Sequence, residues 1–278
     1  MRPSTGYAMR EQNRAFVDDP AWTGVEIDFQ RANHALRVIP YLHAHAFEYV
    51  SVHALELSVA SLEPPRRCYL EELLAVAEEN GAVAISDHLG FNDARRGGPA
   101  VGHVMAPPCT FEALDRVCRN VDRIQRFFGD KTFFLENLSH FFVWPGEMDE
   151  IDFVCRVLER TGCGLLLDVT NAYADEMNFG FDARAFVSGT VGSASRIQMH
   201  LAGGFVETKS GRYVDSHSEP IPEPVWALCL EAIRLGQRKF EALFIERDWN
   251  FPSEQGWRDE LRQLRQVTEA MEPNTCHG

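Results

Sequence analysis

Three histidines and three carboxylates recur at or near the ends of short apolar runs. VSVH closes on His53, AISDH on His88, FFLE on Glu136, GLLLD on Asp168, IQMH on His200 and LFIE on Glu246. One such residue alone is an ordinary turn former or helix cap. Six in consecutive runs are poorly explained by capping. Packed together without a cation, the carboxylates would raise one another's pKa, and a metal ion removes that conflict. Imidazole mixed with carboxylate, with no thiolate among the donors, suits iron, manganese or zinc better than magnesium or calcium. The segment Tyr213–Pro220 (YVDSHSEP) adds Asp215 and His217, two apart, whose side chains share one side of an extended chain. A single catalytic ion needs about three protein ligands. These candidates suffice for two or three ions, held close by bridging carboxylates as in two-metal sites. Asn171, in the loop after Asp168, either ligates through its amide oxygen or shapes the turn.

The elements that would position these residues follow from the apolar pattern. Strands are expected at Thr5–Met9, Gly24–Asp28, Tyr49–His53, Val83–His88, Phe133–Asn137, Gly164–Asp168, Ile197–Leu201 and Leu243–Asp248. They lack polar alternation, as strands covered on both faces of a parallel sheet do. Helical periodicity covers Arg66–Asn80, Phe111–Phe128, Met148–Thr161, Pro224–Gly236 and Glu254–Met271, with Gly81, Gly129 and Gly162 placed for left-handed caps. Repeated strand–helix alternation predicts an α/β fold, a (β/α)₈ TIM barrel forming a single domain over residues 1–272 with a frayed tail at 273–278; a doubly wound open sheet is the alternative. In such a barrel the ends of the strands face one rim, where barrel enzymes place their active sites.

Composition agrees and excludes other classes. The 278 residues are 45% apolar and 24% charged, enough for a sizeable core. The net charge of −14 argues against a nucleic-acid partner and gives no attraction to anionic membranes. The start of the chain lacks the apolar run of a signal peptide, and no stretch is apolar enough to span a membrane. Seven scattered cysteines without C-x-x-C read as reduced thiols of a cytoplasmic protein. Glu26 and Asp28 read as a salt bridge or cap, or as groups orienting ligands. His34, His43, His45, His103, His140 and His277 lack the strand-end context and read as surface or supporting residues. Gly203-Gly204 permits a tight loop without a phosphate fingerprint. Trp144, Trp226 and Trp257 read as packing, and Trp249, just after the eighth strand, as a pocket-lining residue.

The runs VSVHALELSV, ISDHLGF, FLENLS, CGLLLDVTNAYADEMNFGFD, MHLAGG, VDSHSEPIPEPVW and IERDWNFP, in this order from Val50 to Phe251, resemble the multinuclear non-heme iron-dependent oxidative enzymes. That family includes the subunit that builds the oxazolone–thioamide pairs of methanobactin. The resemblance implies a TIM barrel with two or three irons in mixed Fe2+/Fe3+ valence and O2 as co-substrate. It also implies oxidative modification of a ribosomally synthesised precursor peptide, at a cysteine or a carboxylate-bearing residue. By motif it carries the metal ligands onto His53, His88, Glu136, Asp168, Asn171, His200, Asp215, His217 and Glu246, and it names no catalytic residue beyond them. Two departures stand out. Many members read D-V-N-N after the sixth strand, where this chain has Thr170. Many carry E-V-H-x-E-N after an early strand, where this chain reads VEIDFQRANHAL.

The eight βα units use nearly the whole chain, so leader-peptide binding is expected from a separate partner protein. A divalent-metal sugar isomerase or epimerase uses a similar barrel and is the alternative reading, separable by oxygen uptake. A non-catalytic protein that binds metal and peptide is the second alternative.

Overall fold

The computed structural model describes residues 2–10, 12–13, 22–29, 47–92 and 103–269. Eight parallel strands close into a barrel. They are β1 (Ser4–Met9), β2 (Gly24–Phe29), β3 (Tyr49–Ala54), β4 (Ala84–His88), β5 (Thr132–Glu136), β6 (Gly164–Asp168), β7 (Ile197–Leu201) and β10 (Phe240–Ile245), with β10 pairing back to β1. The small antiparallel pair β8 (Phe205–Val206) and β9 (Tyr213–Val214) lies in the connection after β7. The barrel strands are buried almost throughout, which is why their sequences are continuous apolar runs rather than alternating ones. The open-sheet alternative is thereby excluded.

Helices α1 (Arg67–Glu79), α2 (Phe111–Phe128), α3 (Glu150–Thr161), α6 (Glu223–Gly236) and α7 (Glu254–Glu269) fall where the periodicity places them. The third helix starts at Glu150 rather than Met148, because the Asp149 side chain accepts the Asp152 N–H and caps it. Its other end turns at Gly162, whose φ of 68° is the left-handed conformation glycine tolerates. Two further helices, α4 (Val169–Phe179) and α5 (Ala183–Ser193), fill the connection between β6 and β7. Neither shows a strong apolar stripe: α4 buries polar Thr170, Asn171 and Asp175 on its inner side, and α5 is built largely of small residues with no charged face. The last barrel strand runs Phe240–Ile245, earlier than expected, so Glu246 and Asp248 lie just past its end.

The main core packs the outer faces of the strands against the helices. A second, smaller cluster of Tyr49, Ala84, Phe134, Leu166, Ala242 and Phe244 plugs the barrel interior. It makes an apolar floor beneath the rim. Cys68, Cys109, Cys118, Cys155, Cys163 and Cys229 are free thiols. Burial pushes Cys109 and Cys163 up to about 12, which leaves them protonated and unreactive at neutral pH. Among the described residues no helix is long and apolar enough to cross a membrane. His34, His43, His45, His277, Cys276, the tail and the departing loop beyond Phe29 lie outside the described residues.

Candidate metal centre

Strand register brings the candidates together. His53 pairs with Ser86, His88 with Glu136, and Asp168 with His200 across adjacent strands. Their side chains, with Glu246, Asp215, His217 and Asn171, meet at the C-terminal rim. His53, His88, Glu136, Asn171, Asp215, His217 and Glu246 line a cavity of about 810 Å³. Asp168 and His200 are fully buried beneath it.

Glu136 is the hub. Its Oε2 lies 3.4 Å from His53 Nε2 and 3.5 Å from His88 Nε2, and its Oε1 lies 3.5 Å from His200 Nδ1. Glu246 Oε2 in turn lies 3.2 Å from His200 Nδ1 and 3.5 Å from His217 Nδ1, while His217 Nε2 is 3.1 Å from Asp215 Oδ1. Most of these separations exceed a good hydrogen bond. They match two donors on one ion, since ligands about 2.1 Å from a shared metal sit about 3.0–3.4 Å apart at octahedral or tetrahedral angles. Two ligand sets, His53–His88–Glu136 and Glu136–Asp168–His200–Glu246, thus share Glu136.

Every candidate ligand except His53 and Glu246 has a buried polar atom without a hydrogen-bond partner. These include Glu136 Oε2, Asp168 Oδ2, Asn171 Oδ1, His200 Nδ1 and Asp215 Oδ1. Buried polar atoms are nearly always paired. The orphans of Glu136, Asp168 and His200 belong to one ligand set and fit a cation, while that of His88 is Nδ1, on the Asp87 side. Asp168 shows the division within one side chain. Its Oδ1 accepts the N–H of Thr170 at 2.6 Å and of Asn171 at 2.9 Å and so caps α4, leaving Oδ2 for the centre.

A supporting layer fixes these donors. Ser86 Oγ lies 2.9 Å from His53 Nδ1, so the ring turns Nε2 toward Glu136. Glu26 Oε1 lies 2.8 Å from His200 Nε2, leaving Nδ1 for the two glutamates; the contact is close without the alignment of a hydrogen bond. Such carboxylate–histidine contacts orient metal ligands. Asn137 clips β5 to β6 beyond their pairing, its side chain bonding both the N–H and the C=O of Asp168 at 2.9 Å. The same residue's carbonyl accepts Asn171 Nδ2, which aims Asn171 Oδ1 elsewhere. Thr170 bonds both the N–H and the C=O of Ala202 and offers nothing to the centre. The loop carrying Asp215 and His217 is held against Gly203, where a Cβ would come within 2.1 Å of Glu219 O, so the tight loop expected there requires glycine. His217 itself sits at φ 50°, a strained conformation of the kind functional sites store.

Sequence reasoning missed Arg10. Its guanidinium lies 2.8 Å from Asp248, 3.4 Å from Glu246 and 3.6 Å from Asp28. Asp28 is thus the salt-bridge partner expected, whereas Glu26 reaches His200. The strand-end rule applied to β1 points at Arg10, the residue after Met9. Asp87 lies behind His88 rather than in the cavity: its Oδ2 accepts Leu57 N–H at 2.7 Å and its Oδ1 lies 3.4 Å from His88 Nδ1. Trp249 is 72% exposed and does not line the rim cavity, whose wall ends at Asp248 just before it. His140 is not a surface residue; its side chain is 9% exposed. His103 lines the rim cavity and packs on Phe141.

The charges compete strongly. Burial pushes the Glu136 carboxyl up, but His88, His200 and His53 outweigh it and hold it below its ordinary value. Glu246 is likewise held well down by His200, His217 and Arg10 against burial. Asp168 goes the other way, to about 8, through burial and the neighbouring Asp215 and Glu136. His88 rises to about 9: burial opposes its charge, and Glu136 and Asp87 prevail. Asp168 and His88 both bind a proton more tightly folded than unfolded. Their contribution to stability is complete below their ordinary pKa values and is lost as pH rises through about 8 to 9. Metal-free protein is therefore expected to lose thermal stability between about pH 4 and about pH 9, and bound metal, replacing the protons, to remove that loss. Unfolding curves with and without chelator check this; a flat profile for metal-free protein contradicts it.

An eight-stranded parallel barrel ringed by helices, with histidines and carboxylates gathered at its C-terminal rim, is a TIM barrel. D-psicose 3-epimerase from Clostridium cellulolyticum superposes with a TM-score of 0.59 at 13% identity, over 97% of this chain and 100% of that one. Endonuclease IV from Thermus thermophilus gives 0.59 at 13%, over 96% of this chain and 100% of that one. At such identities the likeness is one of fold. The sequence model of the RiPP precursor modification enzymes MbnB/TglH/ChrH matches residues 29–269, and the chain belongs to that family. A UPF0276 protein of Rhizorhabdus wittichii is 38% identical over 232 residues, covering 80% of this chain and 77% of the relative. Another, from Chromobacterium violaceum, is 35% identical over 205 residues, 73% and 71% of the two chains.

Proposed function

We propose that this protein is a multinuclear iron enzyme that uses O2 to modify a ribosomally synthesised precursor peptide oxidatively, at a cysteine or a carboxylate-bearing residue. The observation that carries the reading is Glu136, a buried carboxylate whose two oxygens face two separate ligand sets. His53 and His88 would hold one iron with Glu136. Asp168, His200 and Glu246 would hold a second, and Asp215, His217 and Asn171 border the position of a third. Bound iron supplies activation of O2 and one-electron oxidation, chemistry that protein side chains lack.

The chain's own residues do the rest. Ser86 and Glu26 fix the rings of His53 and His200. Arg10 offsets the excess negative charge of Glu246, Asp248 and Asp28. Asp168 gives up the proton that its raised pKa retains in the metal-free site. The plug of Phe134, Leu166 and Phe244 excludes water from below, which strengthens every electrostatic interaction above it. The cavity above is large enough for a peptide terminus or turn. Leader-peptide capture is assigned to a separate protein as part of this proposal; tight binding of the precursor peptide by this chain alone would contradict it.

Oxygen uptake separates this reading from the isomerase. Anaerobically prepared protein, given iron, its precursor peptide and its partner, is expected to consume O2 with a change in peptide mass. Sugar turnover under argon, without oxygen uptake on peptide, would sink the proposal.

A further inference from the structure

Behind the metal cavity lies a second one, of about 260 Å³, sharing only Leu138 and His140 with it. Its walls are mostly apolar and include the aromatic rings of Trp144, Phe181 and Phe186. Val143 and Trp144 at its edge are exposed by 50% and 40%. Its polar side is a cluster of His140, Asp175 and Glu150 contributed by the β5–α3 connection, α4 and the first turn of α3. None of these three belongs to the metal centre.

The internal bonding of the cluster is unequal. Asp175 clamps His140 with both oxygens, Oδ1 accepting the backbone N–H at 2.8 Å and Oδ2 lying 2.6 Å from Nδ1. Glu150 is held more loosely, as a long ion pair to His140. Its Oε1 is 3.7 Å from His140 Nε2, beyond a hydrogen bond. Asp149 and Asp182, also lining the cavity, are spent as helix caps on the Asp152 and Ala185 N–H groups. Among the described residues lining the cavity there are four carboxylates, one histidine and no lysine or arginine. Burial, with Asp175 and Asp149 nearby, pushes the Glu150 carboxyl up to about 7 although His140 pulls it down, so one imidazole does not offset the carboxylates around it.

We propose that this cavity binds a primary ammonium carried on an aliphatic stem, the ammonium against Glu150 and the stem along the aromatic wall. Carboxylates in excess of the one histidine, in a cavity that also presents Trp144, Phe181 and Phe186, are the recognition chemistry of an organic cation, joining ion pair, cation–π attraction and apolar burial. A metal ion fits worse. With Asp175 and His140 Nδ1 engaged on each other, only Glu150 and His140 Nε2 are available, short of the three or four protein ligands such sites use. The ammonium can come from a free amine or from a lysine side chain of a bound peptide; both present the same group.

The test uses n-butylamine and its neutral counterpart 1-butanol, titrated calorimetrically at neutral pH into the full chain and into Glu150→Gln. Saturable binding of n-butylamine is expected, about tenfold weaker for 1-butanol and about tenfold weaker for the variant, a factor corresponding to ~1.4 kcal/mol. Iron content, set by other residues, is expected to be unchanged in the variant, so failure here is distinct from failure of the metal centre. Competition by Nα-acetyl-lysine amide assigns the ligand to a peptide side chain, and its absence assigns it to a free amine. Equal affinity for butanol and butylamine overturns the proposal, as does undiminished binding by a folded Glu150→Gln. So does binding of zinc, lost in His140→Ala, without binding of amine. Should Glu150→Gln fail to fold by circular dichroism, the contrast between amine and alcohol in the unaltered protein decides alone.

Discussion

Glu136→Gln is expected to leave a folded barrel that no longer holds more than one metal ion, with peptide oxidation reduced by a factor on the order of 10³ or more, beyond the 10–100-fold typical of outer-shell changes. Gln preserves the volume and one acceptor oxygen. It removes the charge and the second oxygen that together face His53 and His88 on one side and His200 on the other. No neighbour can substitute. Asp168 Oδ1 is committed to the α4 cap, and Glu246 lies on the far side of His200, next to His217 and Arg10. The same change removes the carboxylate that most favours protonated His88, whose pKa is expected to fall from about 9 toward its ordinary value. Metal counting, circular dichroism and imidazole NMR check the three parts. Retention of two ions per chain would contradict the bridging role.

Replacing Asp168 by two different residues is expected to separate its two tasks. Asn retains an oxygen for the N–H groups of Thr170 and Asn171 and replaces Oδ2 with an amide nitrogen that cannot ligate. Asp168→Asn should therefore keep the stability of α4 and lose the metal held by Asp168. In metal-free form it should also lose its part of the decline in stability, the part between about pH 4 and about pH 8, since the acid that titrates at about 8 is gone. Asp168→Ala loses the ligand and the cap together, at a cost of about 1 kcal/mol for the cap, which lowers the melting temperature by about 2 °C in a chain of this size. Metal content and thermal unfolding of the pair measure this. Equal stability of the two variants would show that the cap contributes nothing; wild-type metal content in Asp168→Asn would remove Asp168 from the centre.

The barrel was legible because parallel strands buried on both faces become apolar runs, and such runs end where the chain emerges at the rim. The same rule placed His53, His88, Glu136, Asp168, His200 and Glu246 together. What it could not read has physical reasons. Inward-pointing residues below the last position also face the centre, so Glu26, two residues before the expected end of β2, reaches His200. Arg10 carries the wrong charge for a ligand search, yet it balances Asp28, Glu246 and Asp248. Helices α4 and α5 escaped because α4 buries polar side chains that clip the rim and α5 lacks a polar stripe. Asn137 and Thr170 hold neighbouring strand ends through backbone bonds, a role that residue type alone does not distinguish from ligation. His140 looked peripheral because its partners, Asp175 and Glu150, come from helices rather than strand ends.

The most direct measurement is metal counting joined to Mössbauer spectroscopy on protein purified anaerobically and shown to be fully active. Two or three irons per chain, in both ferrous and ferric states, is the expected result. One iron or none in a fully active preparation would contradict a multinuclear centre built around Glu136.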